Sequence, residues 1–186
     1  MTTETSIKVS FELTKRDIKY FRERLRCTRT NRSERDEDRL IKSASSLISE
    51  AIAAESPEFV RIRLTILERL VDIVRDTQWR LEGRDRARVL DALAYFSDPE
   101  DLIPDRIPGI GFIDDAIMIE LVARELKHEI KAYEDFCVFR GQHDKKRDNN
   151  KIESRRQALQ RRMRRRRRSD LQHIRATTTK SSLRLW

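Results

Sequence analysis

Glycine, proline and cysteine are all scarce in this chain of 186 residues: four, four and two. Two cysteines, Cys27 and Cys137, cannot form a disulfide framework and read as reduced thiols of a cytoplasmic protein. A membrane-spanning helix needs about 18 apolar residues in a row. The apolar run Ile107 to Ile113 is seven residues long and contains Pro108 and two glycines, so a transmembrane helix is not expected. The opening MTTETSIKVSFEL lacks a basic stretch leading into an apolar one and is not a secretory signal. There is no HExxH, no CxxC pair and no phosphate-cradling glycine loop. Glu125 and His128 give one Glu-x-x-His spacing, whereas di-iron helical bundles use two, so these residues read as a solvated helix face. The remaining histidines, His143 and His173, lie in the carboxy-terminal region, and no Ser, Cys and His arrangement marks a nucleophile.

Charge is abundant but unevenly distributed. Met1 to Arg140 holds 25 Lys/Arg and 28 Asp/Glu, whereas Gly141 to Trp186 holds 16 and 4. A mildly acidic body of residues 1–140 thus carries a basic, Arg-rich tail of residues 141–186, a layout that seeks polyanions.

Periodicity within the body is helical, and the expected class is all-α, with about five helices. Ile7, Val9, Phe11 and Leu13 alternate with polar residues and read as a short extended segment. Thr14 opens a helix, with Asp17 in a capping-box position and Ile18, Phe21 and Leu25 as its apolar stripe. A second helix carries Leu40, Ala44, Leu47, Ile48, Ala51 and Ile52 on one face. Ser56-Pro57-Glu58 reads as a helix start capped by Ser56, leading into a broad apolar arc from Phe59 to Val74. Gly83 is expected to end that helix and Asp85 to cap the next, which presents Val89, Leu90, Leu93 and Phe96. One long helix is expected from Asp114 or Asp115 to about Phe139, with Ile119, Val122, Leu126, Ile130, Tyr133 and Cys137 inward. Trp79 reads as a core-edge aromatic.

Three of the four prolines and two of the four glycines fall within Tyr95 to Asp115, with five aspartates. Such concentration specifies a turn. Pro104, Pro108, Gly109 and Gly111 shape its backbone. Asp98, Asp101, Asp105, Asp114 and Asp115 suit exposed helix N-termini, where negative charge is favoured. The same five carboxylates, if they converge, would suit a divalent cation or acid–base chemistry, and a constrained exposed loop also suits a protein partner.

The pattern DPxDLIPDxIPGIGFIDD, preceded by ALAYF and followed by a helix, resembles the YkvA family of domains of unknown function. The resemblance extends over roughly Ala87 to Arg140. It implies a small all-helical domain with no established reaction, and some relatives are considered membrane-associated. Here Arg106, Glu120, Arg124, Glu125 and Lys127 interrupt the apolar pattern, which argues against insertion.

In the tail, Arg155, Arg156, Arg161, Arg162, Arg164, Arg165, Arg166, Arg167 and Arg168 crowd into RRQALQRRMRRRRR. Like charges at helical spacing repel, so the tail is expected to be mostly unfolded, turning helical on a partner with Leu159 and Met163 as one apolar edge. Guanidinium forks bind phosphate bidentately. No aromatic stands among them to stack bases. The expected function is a non-enzymatic interaction module without a cofactor, whose tail binds RNA, DNA or the ribosome. The alternatives are a metal-binding protein or hydrolase built on the aspartates, and a peripheral protein of anionic membranes.

Overall fold

The computed structural model describes residues 12–30, 37–97, 112–143 and 149–182. Seven α-helices occur among them, with no strand: α1 (Lys15–Thr30), α2 (Glu37–Ala53), α3 (Glu58–Arg75), α4 (Gly83–Leu93), α5 (Ile113–Glu125), α6 (Lys127–His143) and α7 (Asn149–Ser182). A 3-10 turn, Tyr95–Ser97, follows α4. The all-α expectation holds, with more helices than the five anticipated. The alternating segment from Ile7 lies outside the described residues up to Phe11.

The start of α1 follows the sequence. The Thr14 amide and hydroxyl donate to Asp17 Oδ2 at 2.9 and 2.7 Å, and the Asp17 amide returns a bond to Thr14 Oγ1 at 3.3 Å. These bonds satisfy donors that a helix end leaves open. The start of α3 is different. Pro57 flanks the helix with extended backbone, no side chain caps it, and Ser56 is buried with its amide donating to Ala51 O.

α3 is the central helix. Val60, Leu64, Leu67, Leu70, Val71, Ile73 and Val74 are buried along it, and it packs against α2, α4, α5 and α6. Full burial of one such side chain contributes about 1.5–3 kcal/mol relative to exposure, so this helix is the main source of apolar stabilisation. α3 ends at Arg75 rather than at Gly83. Asp76 closes it, its Oδ1 accepting from the amides of Gln78 and Trp79 at 2.8 and 2.9 Å. Gly83 instead opens α4 at φ +58°, where a Cβ would meet nothing nearby. Backbone conformation rather than space calls for glycine there.

The single long helix expected after the aspartate-rich segment is two. Leu126, at φ −99° and ψ 17°, separates α5 from α6, although its amide still donates to Val122 O at 2.8 Å and its carbonyl accepts from Ile130 at 3.0 Å. The junction is a bend with its hydrogen bonds conserved, and Leu126 itself is buried.

The largest departure is the tail. Instead of a mostly unfolded extension, residues 149–182 form one helix packed along α6. Ile152, Leu159 and Met163 join the same buried cluster as the α3 stripe. The boundary placed after Arg140 falls inside α6. Charge repulsion between neighbouring arginines is opposed by this burial and by acids on the body.

Candidate functional site

The carboxylates that receive the tail come from two helices of the body, and a third acid on the tail faces α6 in return. Asp85 sits in the first turn of α4, buried to 4 % exposure. It does not cap its helix, as the sequence suggested. Its Oδ2 accepts from Arg164 Nε at 2.5 Å and its Oδ1 from Arg167 Nη2 at 2.7 Å. Glu129 on α6 is buried to 1 %, and its Oε1 accepts from Arg167 Nη1 at 2.6 Å and Arg88 Nε at 3.2 Å. Glu129 Oε2 is buried with no hydrogen-bond partner among the described residues. Arg167 therefore bridges α4 and α6. A third acid, Asp170, on α7 itself, pairs with Lys127 at 2.5 Å and His128 at 2.9 Å. His128 of the Glu-x-x-His spacing thus serves the helix pair, while Glu125 is exposed.

Higher on α7, Arg156 is buried to 8 %, pairs with Glu153 and donates to the Arg80 carbonyl at 3.4 Å. Glu153 is pulled down to about 2 by Arg156 and Gln157. Gln160 Nε2 donates to the Trp79 carbonyl at 2.8 Å. Trp79 is fully buried, beyond the core-edge position expected, with its ring 5.8 Å from Tyr133 and 5.1 Å from Phe136. Below it, Asp76 Oδ2 accepts from Arg140 at 2.6 Å and Tyr133 at 3.0 Å.

Burial alone would raise the Asp85 and Asp76 carboxyls, but hydrogen bonds to Arg164 and Arg167, and to Trp79 N, Arg140 and Tyr133, outweigh it and hold both below 3.8. A carboxyl depressed in the folded state adds stability above its unfolded value, and that stability is lost as pH falls through the folded value. The thermal midpoint should therefore fall between about pH 5 and about pH 3, with a shallower fall in Asp85→Asn. Calorimetry at several acid pH values checks this; parallel slopes for the two proteins would contradict it.

The nine tail arginines separate by what they face. Arg156, Arg164 and Arg167 point at the body and are paired. Arg155 is half-buried with its guanidinium 5.3 Å over the Phe139 ring. Arg161, Arg162, Arg165, Arg166 and Arg168 are exposed and have no acceptor among the described residues. Sequence reasoning missed Asp85, Glu129 and Asp76 as partners of distant arginines. A usable signal was present: Ile152, Arg156, Leu159, Met163 and Arg167 recur at steps of three or four along one face.

Of the aspartate-rich segment, Asp98, Asp101, Asp105, Pro104, Pro108, Gly109 and Gly111 lie outside the described residues. Asp114 and Asp115 occupy the first turn of α5, both buried. Phe112 precedes them in the left-handed region at φ 62°, a conformation uncommon for a bulky residue. Among the described residues no three His, Cys, Asp or Glu side chains are grouped to hold a metal ion.

This arrangement is an all-helical fold carrying a docked, basic carboxy-terminal helix. Residues 85–121 match the family described as "Protein of unknown function (DUF1232)". A stretch of 43 residues is 46 % identical to "Uncharacterized membrane protein YkvA" of Bacillus subtilis (strain 168). That match covers 23 % of this chain and 41 % of that protein. No solved structure matches. The matched stretch, from α4 through the aspartate-rich segment into α5, is the one whose motif resembles the YkvA family. Asp85 is the first residue of the family match, whereas α6 and α7 lie beyond its end.

Proposed function

We propose that the protein is a non-enzymatic module that binds the phosphate backbone of nucleic acid through the outer face of α7. One observation carries the reading: five arginines stand exposed on a helix held in place from beneath, with no acceptor among the described residues. Positions three and four apart on a helix are neighbours about 5–6 Å apart. Arg161, Arg165 and Arg168 therefore form a short row of guanidinium groups on the outer face, with Arg162 and Arg166 as a second pair on the side toward α6. Such a row binds phosphate without reading bases, since no aromatic stands beside it.

The test is fluorescence anisotropy of a labelled RNA duplex across a range of salt. Each phosphate neutralised contributes about −0.9 to the log–log salt slope, so five arginines, each engaging at most one phosphate, predict a slope no steeper than about −4.5. Replacing all five with glutamine should remove measurable binding while leaving the fold intact, because none of them is buried. Unchanged affinity in that variant would refute the reading.

Peripheral attachment to anionic membrane is the second reading, favoured by the printed name of the relative, a membrane protein. No helix among the described residues is long and apolar enough to cross a membrane. An interfacial helix needs its apolar face toward lipid, whereas Ile152, Leu159 and Met163 face the body here. Adsorption would then rest on charge alone. Flotation with phosphatidylserine vesicles, absent with phosphatidylcholine vesicles, would favour it.

A further inference from the structure

α6 and α7 enclose a small cavity of ≈ 10 Å³, lined by His128, Lys131, Asp135, Arg162, Met163 and Arg166 among others. The volume suits about one water molecule, so anything larger sits at the mouth. Three permanent cations surround that mouth, and two carboxylates lie close to one of them. Asp135 Oδ1 is 3.2 Å and Glu134 Oε2 4.0 Å from Lys131 Nζ, and His128 is turned to Asp170 at 2.9 Å. Arg162 and Arg166 have no acceptor among the described residues. They stand on either side of Met163, which is buried to 1 % exposure in the core cluster. The position of both arginines along α6 is thus set by packing before any ligand arrives. Placement of this kind lowers the ordering cost that binding otherwise carries.

We propose that this cleft, through Lys131, Arg162 and Arg166, seats one phosphodiester of a nucleic-acid backbone and fixes the register of the strand along α7. Arg162 and Arg166 supply planar forks that suit two phosphate oxygens each, and Lys131 supplies a compact point charge from the opposite helix. Asp135 and, at longer range, Glu134 compete with the phosphate for Lys131. The proposal rests on the nucleic-acid reading above but singles out two of its five arginines and adds a lysine outside the tail. An anionic lipid headgroup offers the same phosphate chemistry. It is disfavoured because the apolar side of α7 faces the core and leaves little to hold acyl chains.

The test is anisotropy of a labelled RNA duplex over a salt series, with the full chain and single-purpose variants. Lys131→Gln should weaken binding several-fold, and Lys42→Gln, the same charge change on the exposed face of α2, should not. Arg162→Gln with Arg166→Gln should weaken binding about tenfold and make the salt slope shallower by about 0.9, the contribution of one phosphate. Asp135→Asn should tighten binding by removing the nearer of the two acids on Lys131. If Lys131→Gln and Lys42→Gln behave alike, or Asp135→Asn does not tighten binding, the seat is wrong. If Arg161→Gln, Arg165→Gln and Arg168→Gln together abolish binding while the cleft variants leave it unchanged, the outer face stands and the seat falls. No binding by the full chain at low salt overturns both. Binding to phosphatidylserine vesicles without binding to the duplex overturns the nucleic-acid assignment in favour of lipid.

Discussion

Trp79→Ala should cost about 3–5 kcal/mol in urea denaturation, the range for truncating a large buried aromatic. The indole fills the space between the α3–α4 connection and α6, against Tyr133 and Phe136, and its own carbonyl holds Gln160 of α7. Its removal leaves a cavity beneath three elements at once. Trp79→Phe is the informative companion. Trp79 Nε1 is buried without an acceptor among the described residues, so phenylalanine sheds an unsatisfied donor while keeping most of the ring. It should cost much less, about 1 kcal/mol. A Trp79→Ala variant within 1 kcal/mol of the parent chain, on the scale of a surface change, would contradict the packing described here.

Arg167→Ala has the second-largest expected effect. Arg167 is the group shared by Asp85 and Glu129, and the Glu129 side chain is fully buried. Removing it strands a buried carboxylate that already has one unpartnered oxygen. Breaking one side of a buried pair costs about 3–5 kcal/mol, and the 20 % exposure of Arg167 places the expectation near the lower figure. Glu129 keeps Arg88 at 3.2 Å, which offsets part of the loss. Arg165→Ala, two residues away and exposed, should fall within about 0.5 kcal/mol of the parent. Adding Glu129→Met to Arg167→Ala should recover stability, because the stranded charge is then gone. Equal effects of Arg167→Ala and Arg165→Ala in chemical denaturation would mean that the inward and outward arginines are not distinct.

Local signals were legible in the sequence and non-local ones were not. The Thr14–Asp17 capping box, the α3 stripe from Val60 to Val74 and the α5 start at Asp114 and Asp115 all depend on residues within a few positions of one another. The motif from Asp98 to Asp115 is likewise a matter of spacing, and it identified the family. Asp85 was misread because an acid in a first turn normally serves that turn, while its actual partners are 79 and 82 positions away. The bend at Leu126 has no proline or glycine to announce it, and it keeps its hydrogen bonds. The tail was misjudged for a thermodynamic reason. Repulsion among arginines is visible from composition, whereas the opposing burial of Ile152, Leu159 and Met163 depends on a body surface that the linear order does not display. Leu159 and Met163, four apart, were a correct but incomplete trace of it.

The correction changes what the basic region can do. A free cationic strand would offer all nine arginines from Arg155 to Arg168 to any polyanion. A docked helix commits Arg156, Arg164 and Arg167 to the body and presents five outward in fixed positions. Fewer phosphates are neutralised, but the spacing between the charges is set in advance.

Native-state hydrogen exchange on the full chain tests that docking most directly. Amides of residues 156–167 should be protected alongside those of α6, and the Arg167→Ala substitution should lower both together. Exchange across residues 156–167 at the rate of an unstructured peptide, with α6 still protected, would contradict the docked helix and the division of its arginines.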